Sequence, residues 1–135
     1  MLLSTSYFAM LNRIPNPLSI CINAPSNYTG PQYKELAPNL DLFIAYKNFE
    51  IDANRFILEY KRLVLDLLDP QEVYKEIVKR GGPSATLLCY EKPNEFCHRH
   101  LVADWLNTEL KLKLRIQELK FPEVEIQSPS LFRKV

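Results

Sequence analysis

A chain of 135 residues with 17 basic and 16 acidic side chains is long enough for one domain whose core removes roughly two-thirds of the unfolded surface from water. Its charge balance excludes a global field that would draw it to nucleic acid or to acidic membranes. No window approaches the about twenty apolar residues that span a bilayer, and three cysteines in a chain that needs no staples fit a reducing compartment. These bounds point to one cytoplasmic domain over residues 1–135, with 121–135 as an extended tail.

The start, MLLSTSYFAML, has no positively charged leader, and Ser4, Thr5 and Ser6 interrupt its apolar run. It reads as a short strand over Met1 to Ser4 and a turn over Ser6 to Leu11, not as a signal peptide. Leu18 to Asn23 forms a second β-leaning run, with Cys21 mid-strand as a core residue, and stops at Ala24-Pro25-Ser26, where Pro25 has no amide to donate. Asn27 to Asn39 is a long loop rich in proline and tyrosine, of a length that is often functional. From it Tyr28, Tyr33 and Lys34, together with Tyr46, are placed to line a cleft.

Leu40 to Tyr46 is a third strand candidate, centred on Leu42, Phe43 and Ile44. From Asp52 the period changes, and Phe56, Leu58, Tyr60, Leu63, Val64, Leu67 and Leu68 make one apolar face, predicting a helix with Asp52 as N-cap. Asp69-Pro70 breaks it into a second helix, Gln71 to Arg80, closed by Gly81-Gly82-Pro83. Ala85 to Tyr90 is a continuous apolar run suited to a strand buried on both faces of a parallel sheet. A helix from Asn94 to Leu110 turns Leu101, Val102, Trp105 and Leu106 inward. In Leu112 to Leu119, alternation of Leu112, Leu114 and Ile116 with basic residues predicts a half-buried strand, with a nucleic-acid surface as the rival reading. A tail with Pro122 and Pro129 follows. Strands alternating with helices predict an α/β three-layer sandwich with a mostly parallel sheet of about five strands.

In such folds ligands bind beyond the carboxyl ends of the strands. That rule selects Ser4, Thr5 and Ser6 after the first strand, Asn23 and Pro25 after the second, and the segment LLCYEKPNEFCHRHLVADWL. Cys89 and Glu91, two apart in an extended chain, point to one side. Cys97, His98 and Arg99 fall in the first turn of a helix, where free amides and the macrodipole favour anions and bias a thiol toward thiolate. Four readings compete. Arg99, His98 and the helix N-terminus hold a phosphorylated or nucleotide-like ligand; Cys97 or Cys89 is a nucleophile with His98 or Glu91 as base or acid; Cys89, Cys97, His98 and His100 bind a metal, against which stand the unpaired spacing and the divergence of helix neighbours by about 100°; or the residues are structural, with Arg99 paired to Glu91 or Asp104. No metal ligand is assigned.

The same segment resembles the signature of the domain-of-unknown-function family 488, the YeaO-like proteins, in which a strand ends in Cys-x-Glu and Cys-His-Arg opens a helix. Here these are Cys89, Glu91, Cys97, His98 and Arg99, with weaker likeness in the strand-one Ser/Thr segment, the Pro25 loop and Tyr33 to Pro38. Many members carry Asp-x-Arg after strand two where this chain has Cys21-Ile22-Asn23-Ala24, so it resembles a divergent, compact branch. The resemblance implies a Rossmann-like, flavodoxin-like α/β fold with a polar pocket, and no particular substrate. The resulting expectation is a protein that binds, with or without turnover, a phosphorylated or nucleotide-derived small molecule. In it Cys97, His98 and Glu91 are the reactive groups, and Arg99, His98, Cys89, Ser4, Thr5, Ser6, Asn23, Pro25, Tyr33 and Lys34 are the ligand contacts. The alternatives are a non-catalytic sequestering, regulatory or protein-interaction module and a Cys/His metal-binding protein. Cofactor and assembly stay open, a homodimer included.

Overall fold

A computed structural model describes residues 2–121; the tail with Pro122 and Pro129 lies outside them. The fold is mixed α/β around a four-stranded parallel sheet in the order β2-β3-β1-β4, with β1 at Ser4–Tyr7, β2 at Pro17–Ser19, β3 at Thr86–Cys89 and β4 at Gln117–Glu118. β3 is buried along its whole length, as expected for the apolar run of a strand covered on both faces. Its side chains alternate accordingly. Leu87 joins the large core with Leu3, Leu18, Ile20, Ile77, Val102 and Leu106, while Leu88 joins a smaller cluster with Met10, Ile14 and Tyr28.

Among the described residues four α-helices follow in chain order: α1 at Leu40–Lys47, α2 at Ala53–Leu63, α3 at Pro70–Gly81 and α4 at His98–Glu109. α3 packs on β2, α4 packs on β1 and β3, and α1 packs on α2. The face of Leu88 is closed by a 3₁₀ segment, Phe8–Arg13, and by the loop that carries Tyr28. Asp52 caps α2 by accepting from the Arg55 amide at 2.8 Å. Pro70 opens α3 at the position where its missing N–H costs nothing, and Gly82 ends it at φ 94°. Among the described residues no helix is long and apolar enough to cross a membrane.

Several expected elements differ. The first strand begins at Ser4, past Leu2 and Leu3, so Ser4, Thr5 and Ser6 lie inside the sheet instead of in a loop beyond it; Met1 lies outside the described residues. Leu40 to Tyr46 is helix, not strand: Pro38 has no amide to donate, the Phe43 amide bonds the Asn39 carbonyl, and Leu42 is buried while Ile44 is exposed. β2 stops at Ser19, leaving Cys21 just past its end. The last strand shrinks to two residues because Lys111 turns the chain with φ 49°, and Leu114 is exposed while Ile116 is buried. The sheet therefore has four strands among the described residues, not five. The second helix ends at Leu63, with Leu58 exposed in it and Leu67 exposed in the 3₁₀ turn Leu65–Leu67 that follows, and the fourth begins at His98, four residues after Asn94.

Candidate functional site

Parallel pairing aligns the carboxyl ends of the strands: Tyr7 is level with Cys89, and Ser19 with Leu88. Chain leaving β2 and β3 therefore emerges on the same side. The Tyr90 hydroxyl ties the two exits by donating to the Asn23 carbonyl at 2.7 Å. A cavity of about 230 Å³ lies there. Cys21, Ile22 and Asn23 after β2, Cys89, Tyr90 and Glu91 at the end of β3, Phe96, Cys97 and His98 at the start of α4, and Pro38, Leu40, Phe43, Tyr46, Lys47 and Phe56 from the helical side enclose it. Phe56, Tyr46 and Phe96 pack ring to ring at 5.3–5.4 Å, so most of the wall is aromatic and apolar. A second hollow of about 250 Å³, between α2 and α4, has no cysteine or histidine in its wall.

The reactive groups meet at one end of the cavity. Cys97 is the N-cap of α4, with extended backbone at φ −154° and ψ 145°. The divergence of successive helix positions thus does not apply between it and His98, the first helical residue. The Sγ atoms of Cys89 and Cys97 lie 3.7 and 3.9 Å from His98 Nδ1, and all three groups are buried. His98 Nε2 lies 2.7 Å from the Ile20 carbonyl oxygen. That oxygen only accepts, so Nε2 carries a hydrogen and donates it there, leaving Nδ1 turned to the sulfurs. Cys89 also lies 3.7 Å from Glu91 Oε1, and Glu91 pairs with Lys47 at 3.2 Å at the mouth.

The two thiols share a proton unequally. A hydrogen bond from Cys89 holds the Cys97 thiol far below its ordinary value, against the effect of burial, with support from His98 and the Arg99 amide. The same bond, with burial and the nearby Glu91 charge, drives Cys89 upward. Burial also raises the thiol of Cys21, which clusters with the other two. All three cysteines are free.

Other expected contacts lie elsewhere. Arg99 is fully buried and grips Glu118 with two hydrogen bonds of 3.0 Å, Nε to Oε1 and Nη2 to Oε2, and it does not line the cavity. Thr5 donates to the same carboxylate at 2.6 Å, and the Ser4 hydroxyl pairs with Thr86. Ser6 is buried in β1. Pro25 accepts from the Tyr28 amide, Tyr33 is buried beneath the Arg80 guanidinium at 4.3 Å, and Lys34 is exposed on a short 3₁₀ turn. Of the expected residues, Glu91, Cys89, Cys97, His98, Asn23 and Tyr46 line the cavity. Sequence reasoning missed Phe43 and Lys47 because reading 40–46 as a strand hid the i, i+3, i+4 spacing that sets Phe43, Tyr46 and Lys47 on one helical side, and it read Phe56 only as part of an apolar helix face and gave Phe96 no role.

No curated protein and no solved structure matches the chain. A family model, DUF488-N3a, described as the Active DUF488-N3 subclade, matches residues 17–110, a span that runs from β2 to the end of α4 and includes Cys89, Glu91, Cys97, His98 and Arg99. With most of its length covered and the Cys-x-Glu and Cys-His-Arg positions inside the match, the chain belongs to the domain-of-unknown-function family 488.

Proposed function

We propose that the cavity at the strand ends binds a nucleotide-derived small molecule ring first, with its base against Phe43, Tyr46 and Tyr90 and its phosphate at the mouth near Lys47. The observation that carries this reading is the wall itself, in which the rings of Phe43, Tyr46, Phe56, Tyr90 and Phe96 stand beside the Lys47–Glu91 pair. A volume of about 230 Å³ is below the roughly 300–1,000 Å³ of sites that enclose drug-sized ligands, which suits a base with its sugar and phosphate outside. Base stacking on an aromatic side chain contributes about 1–3 kcal/mol. Arg99, spent on Glu118, positions the start of α4 in this reading and does not hold the phosphate. Glu91 and His98 supply the polar groups that orient the ring.

The fold, on this proposal, is a compact, single-domain variant of the Rossmann-like three-layer class, with one helical layer replaced by the 3₁₀ segment and the Tyr28 loop. Three free buried thiols favour a reducing, cytoplasmic setting.

Calorimetry with the four ribonucleoside monophosphates, and with ribose 5-phosphate as control, tests the reading. At least one nucleotide saturates the protein, ribose 5-phosphate binds far more weakly, and Phe43→Ala weakens nucleotide binding about tenfold or more. Equal binding of ribose 5-phosphate, or no effect of Phe43→Ala, contradicts it. Ligand returned unaltered after prolonged incubation assigns a binding module, and altered ligand an enzyme.

A further inference from the structure

We propose that Cys89, Cys97 and His98 form a zinc-type site whose fourth coordination position opens into the cavity. The Sγ, Sγ and Nδ1 atoms lie within 4.8 Å of one another, and all three residues line the cavity. Tetrahedral zinc, with sulfur at about 2.3 Å and nitrogen at about 2.0–2.1 Å, separates a sulfur from a nitrogen ligand by about 3.6 Å. The two separations here are 3.7 and 3.9 Å, within a few tenths of an ångström of that value, and the two sulfurs lie within 4.8 Å of each other.

Three further features fit this donor set. The Nε2–H of His98 donates to the Ile20 carbonyl, as a metal-bound histidine almost always donates its second nitrogen to a carbonyl or carboxylate, which fixes the tautomer and the ring plane. Two soft sulfurs and one imidazole select zinc over magnesium or calcium, which take oxygen. Three protein ligands with a fourth position facing a cavity are the pattern of zinc sites that act on a bound molecule, whereas purely structural sites close with four. Glu91, 3.7 Å from the Cys89 sulfur, stands beside that fourth position and can hydrogen-bond a water or ligand atom held there.

Cys21 belongs to the same sulfur cluster but not to the converging trio. Its thiol pairs instead with the Ser19 hydroxyl at 3.3 Å. This difference makes the assignment sharp. The site shares the cavity with the nucleotide reading, and the use of its fourth position on a ligand rests on that reading; metal binding itself does not.

The test is a cobalt(II) titration of the full chain, kept reduced with a phosphine and stripped with a chelator, with circular dichroism to report folding. One equivalent of cobalt gives the visible bands of a tetrahedral centre and thiolate-to-cobalt charge-transfer absorption, and zinc displaces it. Cys89→Ser and Cys97→Ser each weaken cobalt by more than the about 10–100-fold lost with a supporting partner, and Cys21→Ser leaves it unchanged. Wild-type protein that is folded yet gives no such bands overturns the proposal, as does loss of the bands in Cys21→Ser with retention in Cys97→Ser. Nucleotide calorimetry on the same metal-free protein separates the two readings: cobalt failure with nucleotide binding intact removes the metal site alone.

Discussion

Arg99 carries a permanent charge into the interior because Glu118 meets its planar fork with both oxygens, and Thr5 steadies that carboxylate from β1. The pair also fastens the first turn of α4 to β4, next to Cys97 and His98. Removing one partner of a buried pair strands the other, at about 3–5 kcal/mol. Glu118→Gln therefore lowers unfolding free energy by about 3 kcal/mol or more in urea titration, and a loss below about 1 kcal/mol, the range of an exposed pair, contradicts this account. At this scale the cluster was legible in sequence: Cys-x-Glu on a strand end and Cys-His before a helix bring reactive types to one place. Arg99's partner was not, because Glu118 is 19 residues away in a segment that reads as a longer strand with Leu114 half buried.

Helices with strong punctuation were readable and the short apolar ones were not. α2 and α3 begin at Asp52 and Asp69-Pro70, and α3 ends at Gly82, all local signals whose physics needs no tertiary context. Gly82 has φ 94° and ψ 170°, a region essentially restricted to glycine, with nothing within 4 Å of an added Cβ. Gly82→Ala thus destabilises through backbone strain alone, by about 1–3 kcal/mol, measured as a shift of the denaturation midpoint; an unchanged midpoint rules out that conformation. α1 shows the converse. Its run LDLFIAY is apolar at nearly every position, so periodicity does not distinguish strand from helix. What decides is packing against α2, a contact across the intervening turn that sequence does not display. The aromatic wall of the cavity went unread with it.

Cys89, Cys97 and His98 gather where parallel pairing leaves the backbone free. Strands β1, β2 and β3 run the same way, so their exits collect on one side, and α1 and the segment from Tyr90 to Cys97 close a pocket over them. The rule of carboxyl-end sites located that side from sequence. It did not tell which loop residues face inward, since β1 starts later than its apolar run suggests and carries Ser4, Thr5 and Ser6 into the sheet. The family match over residues 17–110 covers the cavity-lining segments and leaves Thr5 and Glu118, which brace Arg99, outside it. The most direct test of the cavity as the ligand site is an NMR titration of the labelled protein with the ribonucleoside monophosphate that binds best. The account predicts amide shifts concentrated at Cys21 to Asn23, Phe43 to Lys47 and Cys89 to His98; saturation without shifts there, or with shifts centred on the hollow between α2 and α4, contradicts it.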